Sequence, residues 1–206
     1  MLQVSASELA LVDGCVSHRT RHGGPSIALA DIASHLESTG STKLSADGWH
    51  HTTHMNYPYG VHIAVVRVDP GTGGVEIERY LIAYDVGRAI NPKLVEAQIV
   101  GGFSQGLGGA LFEEFRYDER GEPLSTTFAE YLLPGLHEVP HVDVLITEDA
   151  PSPLNPLGIK GAGEGGVTAV AAALAGAIDD AIGHPGAVTA IPVTPQRIKC
   201  YLRVTR

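Results

Sequence analysis

Residues 60–84 have the sequence GVHIAVVRVDPGTGGVEIERYLIAY, and this stretch decides the fold. β-Branched and other apolar residues dominate both of its ends, whereas Pro70–Gly74 has the composition of a turn. The pattern predicts a β-hairpin with strands at 61–69 and 75–84. The part of the chain around this hairpin must therefore be built on a sheet.

Helical patterns follow the hairpin. Asn91 and Pro92 supply an N-cap and a first helical residue, and apolar residues recur at helical spacing from there to residue 115. Residues 141–147 alternate as a strand does, and a second apolar helical stripe spans 165–182. These elements predict an α+β fold in which mixed sheets are covered by the helices at 92–115 and 165–182.

A smaller unit precedes the hairpin. Residues 8–17 alternate weakly around Asp13 and Gly14, which predicts a short hairpin. The segment that starts at Ser26 has the pattern of a capped helix ending near Leu36. The opening of the chain is therefore expected to be a hairpin followed by a helix.

The stretch 37–47 is rich in Ser, Thr and Gly, a composition that is typical of a loop or of a boundary between two domains. We therefore predict two domains, an N-terminal hairpin-helix segment at 1–45 and a larger domain at 46–206. A closing turn from Pro195 to Lys199 is expected to form a short helix.

Charge and composition exclude several classes of protein. Lys and Arg number 14 against 23 Asp and Glu, a net charge of −9 without a basic cluster, so nucleic acid is not an expected partner. No sustained apolar run or basic leader indicates a membrane span or export. Cys15 and Cys200 are too few for a disulfide framework or a thiolate-ligated cluster, which favours a cytoplasmic location.

The segment 158–166, GIKGAGEGG, is the sharpest chemical feature, because it delivers one carboxylate to the predicted start of an apolar helix. In one interpretation Glu164 merely complements the helix dipole, a contribution of about 0.3 to 1 kcal/mol. In the other interpretation Glu164 is a general base. Spacing alone leaves both interpretations open.

The segment 98–109, QIVGGFSQGLGG, places Gln98 and Gln105 two turns apart on one helix face. An amide both donates and accepts, as recognition of a fused heterocycle requires, and the glycines would admit a ligand or another backbone. The alternative is helix packing through small residues, with solvated glutamines. A dinucleotide-binding fingerprint is excluded, because no strand immediately precedes these glycines.

Other reactive side chains lack a supporting pattern. Three histidines lie within 50–54, but Gly and Pro residues around them indicate a loop, and no third ligand has the spacing of a zinc site. Ser104 and Ser152 do not sit in nucleophile-elbow patterns, and Cys200 lies near the end of the sequence. We therefore predict no metal ligand in this chain and no covalent catalysis.

Four motifs occur in the order found in one known family, and they are VDPGTG at 68–73, YDVGRAINP at 84–92, QIVGGFSQGLG at 98–108 and IKGAGE at 159–164. The chain resembles the C-terminal part of the molybdopterin-binding large subunit of molybdenum hydroxylases. This group includes xanthine dehydrogenase, aldehyde oxidoreductase and aerobic carbon monoxide dehydrogenase. The match is good from about residue 57 to 203 and looser over 1–45.

The resemblance implies oxidative hydroxylation of an aldehyde, an N-heterocycle or a similar small substrate, with water as the source of oxygen. Glu164 matches the family's general base, which deprotonates the attacking hydroxyl group. Gln98 matches the glutamine on the pterin side, and Gly161 and Gly163 match the backbone that approaches the metal. The full set of cofactor-binding residues expected from the resemblance is Gln98, Gly101, Gly102, Gln105, Lys160, Gly161 and Gly163.

The implied cofactor is molybdenum–molybdopterin in its cytosine dinucleotide form, shared with a partner chain. FAD and 2Fe–2S clusters are expected on partner subunits, since two cysteines cannot ligate such clusters. The family's earlier Gly-Phe-Gly and Gln-Gly loops have no counterpart here, so the remaining part of the large subunit is a further expected partner. The chain is expected to be half of a split subunit or a truncated product, inactive alone, with a bare apolar sheet face that favours association.

Two rival functions stay open at this point. The chain could keep the fold as a non-catalytic scaffolding fragment, in which case Glu164→Gln would leave turnover of the complex unchanged. It could also be a metal-independent module that binds a nucleotide on the glycine-rich helix.

Overall fold

The computed structural model describes residues 2–20, 24–40, 44–45 and 47–203. The chain divides into two units, residues 1–51 and 52–206. The domain limits at 1–45 and 46–206 stay a prediction. Among the described residues, no helix has the combination of length and apolar character that a membrane span needs.

The first unit contains a three-stranded antiparallel sheet, with β1 (Leu9–Val12), β2 (Cys15–His18) and β3 (Ser26–Ala28) in that order, followed by α1 (Leu29–Ser38). The predicted hairpin is confirmed. Its turn is formed by Asp13 and Gly14, whose φ angles of +49° and +74° suit a tight two-residue connection.

The prediction of a helix from Ser26 to Leu36 is wrong at its start. Residues 26–28 pair with β2, with Ile27 opposite Val16, and the helix begins only at Leu29 and continues to Ser38. The open edge of β2 offers hydrogen-bond partners to the backbone of 26–28, and this tertiary pairing overrides the local helical pattern.

The second unit is built on a mixed sheet, as predicted. The strands β4 (Tyr59–Val68) and β5 (Val75–Asp85) form the antiparallel hairpin, and β6 (Val142–Thr147) pairs in parallel with β5. In the turn of the hairpin, the Asp69 carboxylate accepts hydrogen bonds from the Gly71 amide at 2.8 Å and the Thr72 hydroxyl at 2.7 Å.

Three helices accompany this sheet, and they are α2 (Pro92–Leu111), α3 (Val170–Ile182) and α4 (Pro195–Arg203). The helix α3 packs against β4 and α2, and α2 also contacts β6. Ile82, Phe103 and Leu174 are fully buried between these elements. The α+β prediction is therefore confirmed, including the Asn91 cap, whose side chain accepts a hydrogen bond from the Leu94 amide.

Two predicted helix limits are wrong. The helix α2 ends at Leu111 rather than 115, and the Glu113 amide there donates to the carbonyl of Gly108 instead of that of Gly109, which a continuing helix would use. The helix α3 starts at Val170 rather than 165. A Cβ on Gly165 would lie 2.1 Å from Cζ of Tyr84, and one on Gly166 would lie 1.9 Å from the Ile99 carbonyl oxygen. This close packing against β5 and α2 holds 165–169 as turns.

The mixed sheet has a second face, which the helices α2 and α3 do not cover, and this face exposes apolar side chains. Strand pairing places Val61, Ala83 and Leu145 side by side on that face, and Ile63 lies beside Leu81. Most of these side chains are exposed, as are Tyr59 and Val65 on the same face of β4. The predicted bare apolar face is therefore present in the second unit.

Candidate active site around Glu164

The loop 158–166 crosses the end of the mixed sheet. Lys160 lies over the ring of Tyr59, 4.2 Å from its centroid, on the exposed apolar face. Gly165 packs against the ring of Tyr84, which belongs to the opposite, helix-covered face. Glu164 lies between Lys160 and Gly165. The contacts that hold these two residues, which we call the two anchors of the loop, fix where the backbone of Glu164 runs.

The first anchor is a buried ion pair. Nζ of Lys160 lies 2.9 Å from Oδ1 of Asp85, and the two side chains are only 8% and 4% exposed. The Asp85 carboxylate also accepts hydrogen bonds from the amides of Gly87 at 2.9 Å and Ala150 at 3.1 Å. Burial alone would raise the pKa of Asp85, but these donors and the ammonium group outweigh it and lower the pKa to about 2.

Backbone contacts fasten the start of the loop beside β5. The Lys160 amide donates to the Val86 carbonyl at 2.9 Å, and the Arg88 amide donates to the Gly158 carbonyl at 3.0 Å. Gly87 has a φ of +66°, and a Cβ there would lie 2.2 Å from the Gly158 carbonyl oxygen. A glycine is therefore required at position 87 on conformational and on steric grounds.

Asn155 stabilises the preceding proline-rich loop, which is irregular as predicted. Its side chain accepts from the Ile159 amide at 3.1 Å and donates to the Ile159 carbonyl at 2.8 Å. It also donates to the side chain of Asn56 at 3.3 Å, and Asn56 in turn receives the Gly161 amide on its carbonyl at 3.0 Å. The segment around Asn56 is thereby tied to the loop.

A cavity of about 610 Å³ opens beside this junction. It is lined by residues 52–58 and by Ile159, Lys160 and Gly161. Two of the predicted cofactor-binding residues therefore border open space, although the ammonium group of Lys160 itself is turned toward Asp85.

The second anchor holds Gly165. Nε2 of His62 lies 3.1 Å from the Gly165 carbonyl oxygen, and Nδ1 of the same ring lies 3.0 Å from the hydroxyl of Tyr80. His62 is half-buried and Tyr80 is fully buried. The loop is therefore held on both sides of Glu164.

Glu164 itself is exposed, and its carboxylate has no hydrogen-bond or ion-pair partner within the described ranges. The amides of Ala162, Gly163 and Glu164 likewise donate no hydrogen bond to any described residue. The sequence pattern predicted that Glu164 lies at a helix N-terminus. This prediction is wrong, because α3 begins at Val170. The dipole interpretation of this residue therefore loses its structural basis.

The predicted residues of α2 separate into two groups. Gln98 and Gln105 are exposed, and neither side chain has a partner in the part of the chain that the structure describes. A Cβ on Gly101 would meet no atom within 4 Å. Gly102 differs, because a Cβ there would lie 3.0 Å from Cα of Gly166, so this glycine allows α2 to approach the Glu164 loop.

The sequence reasoning did not single out Asp85, His62 or Asn56. A signal existed for His62, because the alternation of β4 places it among inward-facing apolar residues, where a histidine needs hydrogen-bond partners. Among the described residues no three His, Cys, Asp or Glu side chains form a group that could hold a metal ion.

Comparison with known proteins identifies the class. Residues 1–140 match the family model of the molybdopterin cofactor-binding domain, and the chain belongs to this family. Its relatives are subunits of molybdenum hydroxylases, so the resemblance noted in the motifs is confirmed, and the family is one of oxidoreductases.

Particular relatives match most of the chain. The gamma subunit of the 6-hydroxypseudooxynicotine dehydrogenase complex of Paenarthrobacter nicotinovorans is 43% identical over 96% of the chain, which corresponds to 25% of that subunit. The nicotine 6-hydroxylase large subunit of the same organism is 36% identical over 71% of the chain and 18% of its own length. The chain thus spans about a quarter or less of the curated relatives it matches.

Solved structures agree with this assignment. Quinoline 2-oxidoreductase from Pseudomonas putida 86 is 31% identical, with a TM-score of 0.83 over 98% of this chain and 26% of that one. Reconstituted CO dehydrogenase from Oligotropha carboxidovorans is 26% identical, with a TM-score of 0.87 over 100% of this chain and 26% of that one.

Proposed function

We propose that this chain forms part of the catalytic site of a molybdopterin-dependent hydroxylase and that Glu164 is its general base. The observation that carries the proposal is a contrast within one loop. Lys160 and Gly165 are held by Asp85 and His62 on two faces of the sheet, whereas the Glu164 carboxylate between them has no partner among the described residues. A carboxylate on a firmly held backbone, with its oxygens left open, is suited to act on a group from outside the chain.

The residues present fit a molybdopterin cofactor. Three consecutive amides, at 162–164, donate to no described residue and could donate to the anionic or oxo groups of such a ligand. Gln98 and Gln105 offer side-chain amides that donate and accept, as a pterin requires. We assign these glutamines and Gly101 to the pterin side of the cofactor. Gly161 and Gly163 are assigned to its metal side. Lys160 and Gly102 act through the loop that they position.

The reaction converts a substrate C–H group and one water molecule into a C–OH group, two protons and two electrons. The molybdenum cofactor, when bound, supplies the two-electron oxidation. Glu164 accepts the proton of the attacking hydroxyl group on a carboxylate oxygen, a step typically worth about 10² to 10⁴ in rate. Oxygen from water is part of the proposal, and labelled water tests it by mass spectrometry of the product.

The substrate class that we propose is a small aldehyde or N-heterocycle. The names of related proteins support it, since they refer to nicotine, a hydroxylated pseudooxynicotine and quinoline. We further propose the cytosine dinucleotide form of the pterin and a cytoplasmic location. Mass spectrometry of the extracted cofactor distinguishes the nucleotide forms.

The exposed sheet face supports a proposal about partners. We propose that Val61, Ile63 and Leu145 pack against the remaining part of a large molybdopterin subunit, because an apolar face of this kind favours association. FAD and 2Fe–2S subunits would carry the electrons onward. Related proteins are named as a complex subunit gamma and a large subunit, which agrees with an assembly of several chains.

Glu164→Gln in the assembled complex tests the catalytic role. We expect turnover of a panel of aldehydes and N-heterocycles to fall by about 10² to 10⁴, with molybdenum content unchanged. Glu119→Gln is the matched control, because Glu119 is likewise an exposed glutamate and lies in the turn between Tyr117 and Pro123. Full turnover by the Glu164 variant would instead favour a scaffolding fragment, and full turnover by molybdenum-free material would favour a metal-independent module.

A further inference from the structure

His62 and Tyr80 form a part-buried polar pair that the proposed chemistry does not use. The two side chains come from adjacent strands, with ring centroids 5.8 Å apart in an edge-on arrangement. Tyr80 is itself fixed by the ring of Phe103 on α2, whose centroid lies 4.4 Å away. His62 therefore has a rigid support inside the core.

The hydrogen bonds define the state of the His62 ring. The Gly165 carbonyl can only accept, so Nε2 of His62 carries the proton and donates to it. In the neutral ring Nδ1 then has a lone pair, and the Tyr80 hydroxyl group donates a hydrogen bond to it. Burial lowers the pKa of His62, although the Gly165 carbonyl raises it, and burial raises the pKa of Tyr80. Both effects favour the neutral ring and the intact hydroxyl group.

This contact acts directly on the residue after Glu164. Gly165 is buried, its missing Cβ leaves room for the ring of Tyr84, and the next residue packs on the Ile99 carbonyl. The Val167 amide closes the turn by donating to the Glu164 carbonyl at 3.1 Å. The Val167 amide thus holds the peptide plane between Glu164 and Gly165, and the His62 donor holds the next plane, between Gly165 and Gly166. Together the two contacts restrict the backbone from which the Glu164 side chain leaves.

We propose that His62, oriented by Tyr80, is a positioning residue that holds the backbone carbonyl of Gly165 and thereby aims Glu164. The proposal rests on the catalytic role proposed for Glu164. It assigns to His62 no contact with substrate or cofactor.

The test compares three variants in the assembled complex. His62→Leu removes both hydrogen bonds at similar volume, Tyr80→Phe removes only the orienting hydroxyl group, and His62→Gln retains a donor toward Gly165. For His62→Leu we expect kcat to fall by about a hundredfold, as a misplacement of about 1 Å produces, with KM changed less than about twofold. We expect a smaller loss for Tyr80→Phe and substantial recovery in His62→Gln.

Hydrogen exchange at the Val167 amide supplies a readout besides activity. We expect His62→Leu to accelerate this exchange at least about tenfold while molybdenum content stays constant. Tyr131→Phe is the matched control, because it removes a tyrosine hydroxyl that donates to Glu113 at 2.6 Å. This control is expected to change neither the Val167 exchange nor kcat.

The outcomes separate this inference from the proposed function. If Glu164→Gln is inactive while His62→Leu keeps wild-type kcat and Val167 exchange, the positioning role is wrong and the catalytic role stands. If Glu164→Gln is fully active, the catalytic role fails, and with it the claim that His62 aims a base. Equal losses in the Leu and Gln variants would also overturn the proposal, because they would indicate a merely structural histidine.

Discussion

Lys160→Met removes the cation that neutralises buried Asp85 and keeps a side chain of similar length. The pair is 2.9 Å apart, and both members are less than a tenth exposed. Removing one partner of such a pair costs about 3 to 5 kcal/mol, because the other charge stays buried. Asp85 retains the amides of Gly87 and Ala150, so the low end, about 3 kcal/mol, is expected.

Hydrogen exchange of residues 158–161 measures this effect where it arises. All four of their amides donate hydrogen bonds, among them Lys160 to the Val86 carbonyl and Gly161 to the Asn56 carbonyl. A loss of about 3 kcal/mol accelerates exchange through local opening by more than about a hundredfold. In the double variant with Asp85→Asn the acceleration is expected to be smaller, because no unpaired charge is left in the core.

The matched control is Lys93→Met. The ammonium group of Lys93 also lies 2.9 Å from a carboxylate, that of Glu96, but the two side chains are 88% and 45% exposed. Such a solvated surface pair contributes little to stability. Equal exchange at 158–161 in the Lys160 and Lys93 variants would refute the reasoning that the buried pair anchors the loop.

Three further predictions concern Asp85, Gly87 and Val61. The pKa of Asp85 lies at about 2 in the folded chain and near 4 when unfolded. The ionised carboxylate therefore adds about 2 kcal/mol to the free energy of unfolding, and this contribution is complete above about pH 4. Acid titration of wild-type protein against Asp85→Asn should show that stabilisation disappearing between pH 4 and 2. Gly87→Ala should lower the unfolding free energy by about 3 kcal/mol in urea denaturation, whereas Gly109→Ala, where a Cβ meets nothing within 4 Å, should not. Val61→Asp should weaken association with the remaining large-subunit polypeptide in a pull-down, with the circular dichroism spectrum unchanged.

Local sequence patterns were sufficient for the elements that depend on neighbouring residues. The alternation around 61–84 predicted β4 and β5, and Asn91 with Pro92 predicted the start of α2. The starts of β3 and α3 could not be predicted in this way. They depend on the edge of β2 and on the fit of Gly165 and Gly166 against distant residues.

The same limit applies to the site. The glycine-dense composition of 158–166 singled out Glu164, and the motif resemblance supplied its role. The two anchors could not be predicted because they join residues that are far apart in sequence. Asp85 and Lys160 are 75 positions apart, and His62 and Gly165 are 103 positions apart. Only the crossing of the loop over the end of the sheet brings those partners together.

The central claim is that the Glu164 carboxylate is aimed at a cofactor held largely by another part of the enzyme. A structure of the assembled, molybdenum-loaded complex measures this most directly. The account predicts a carboxylate oxygen within hydrogen-bonding distance, about 3 Å, of a ligand of the metal. A carboxylate that points into bulk solvent, away from any cavity, would contradict it.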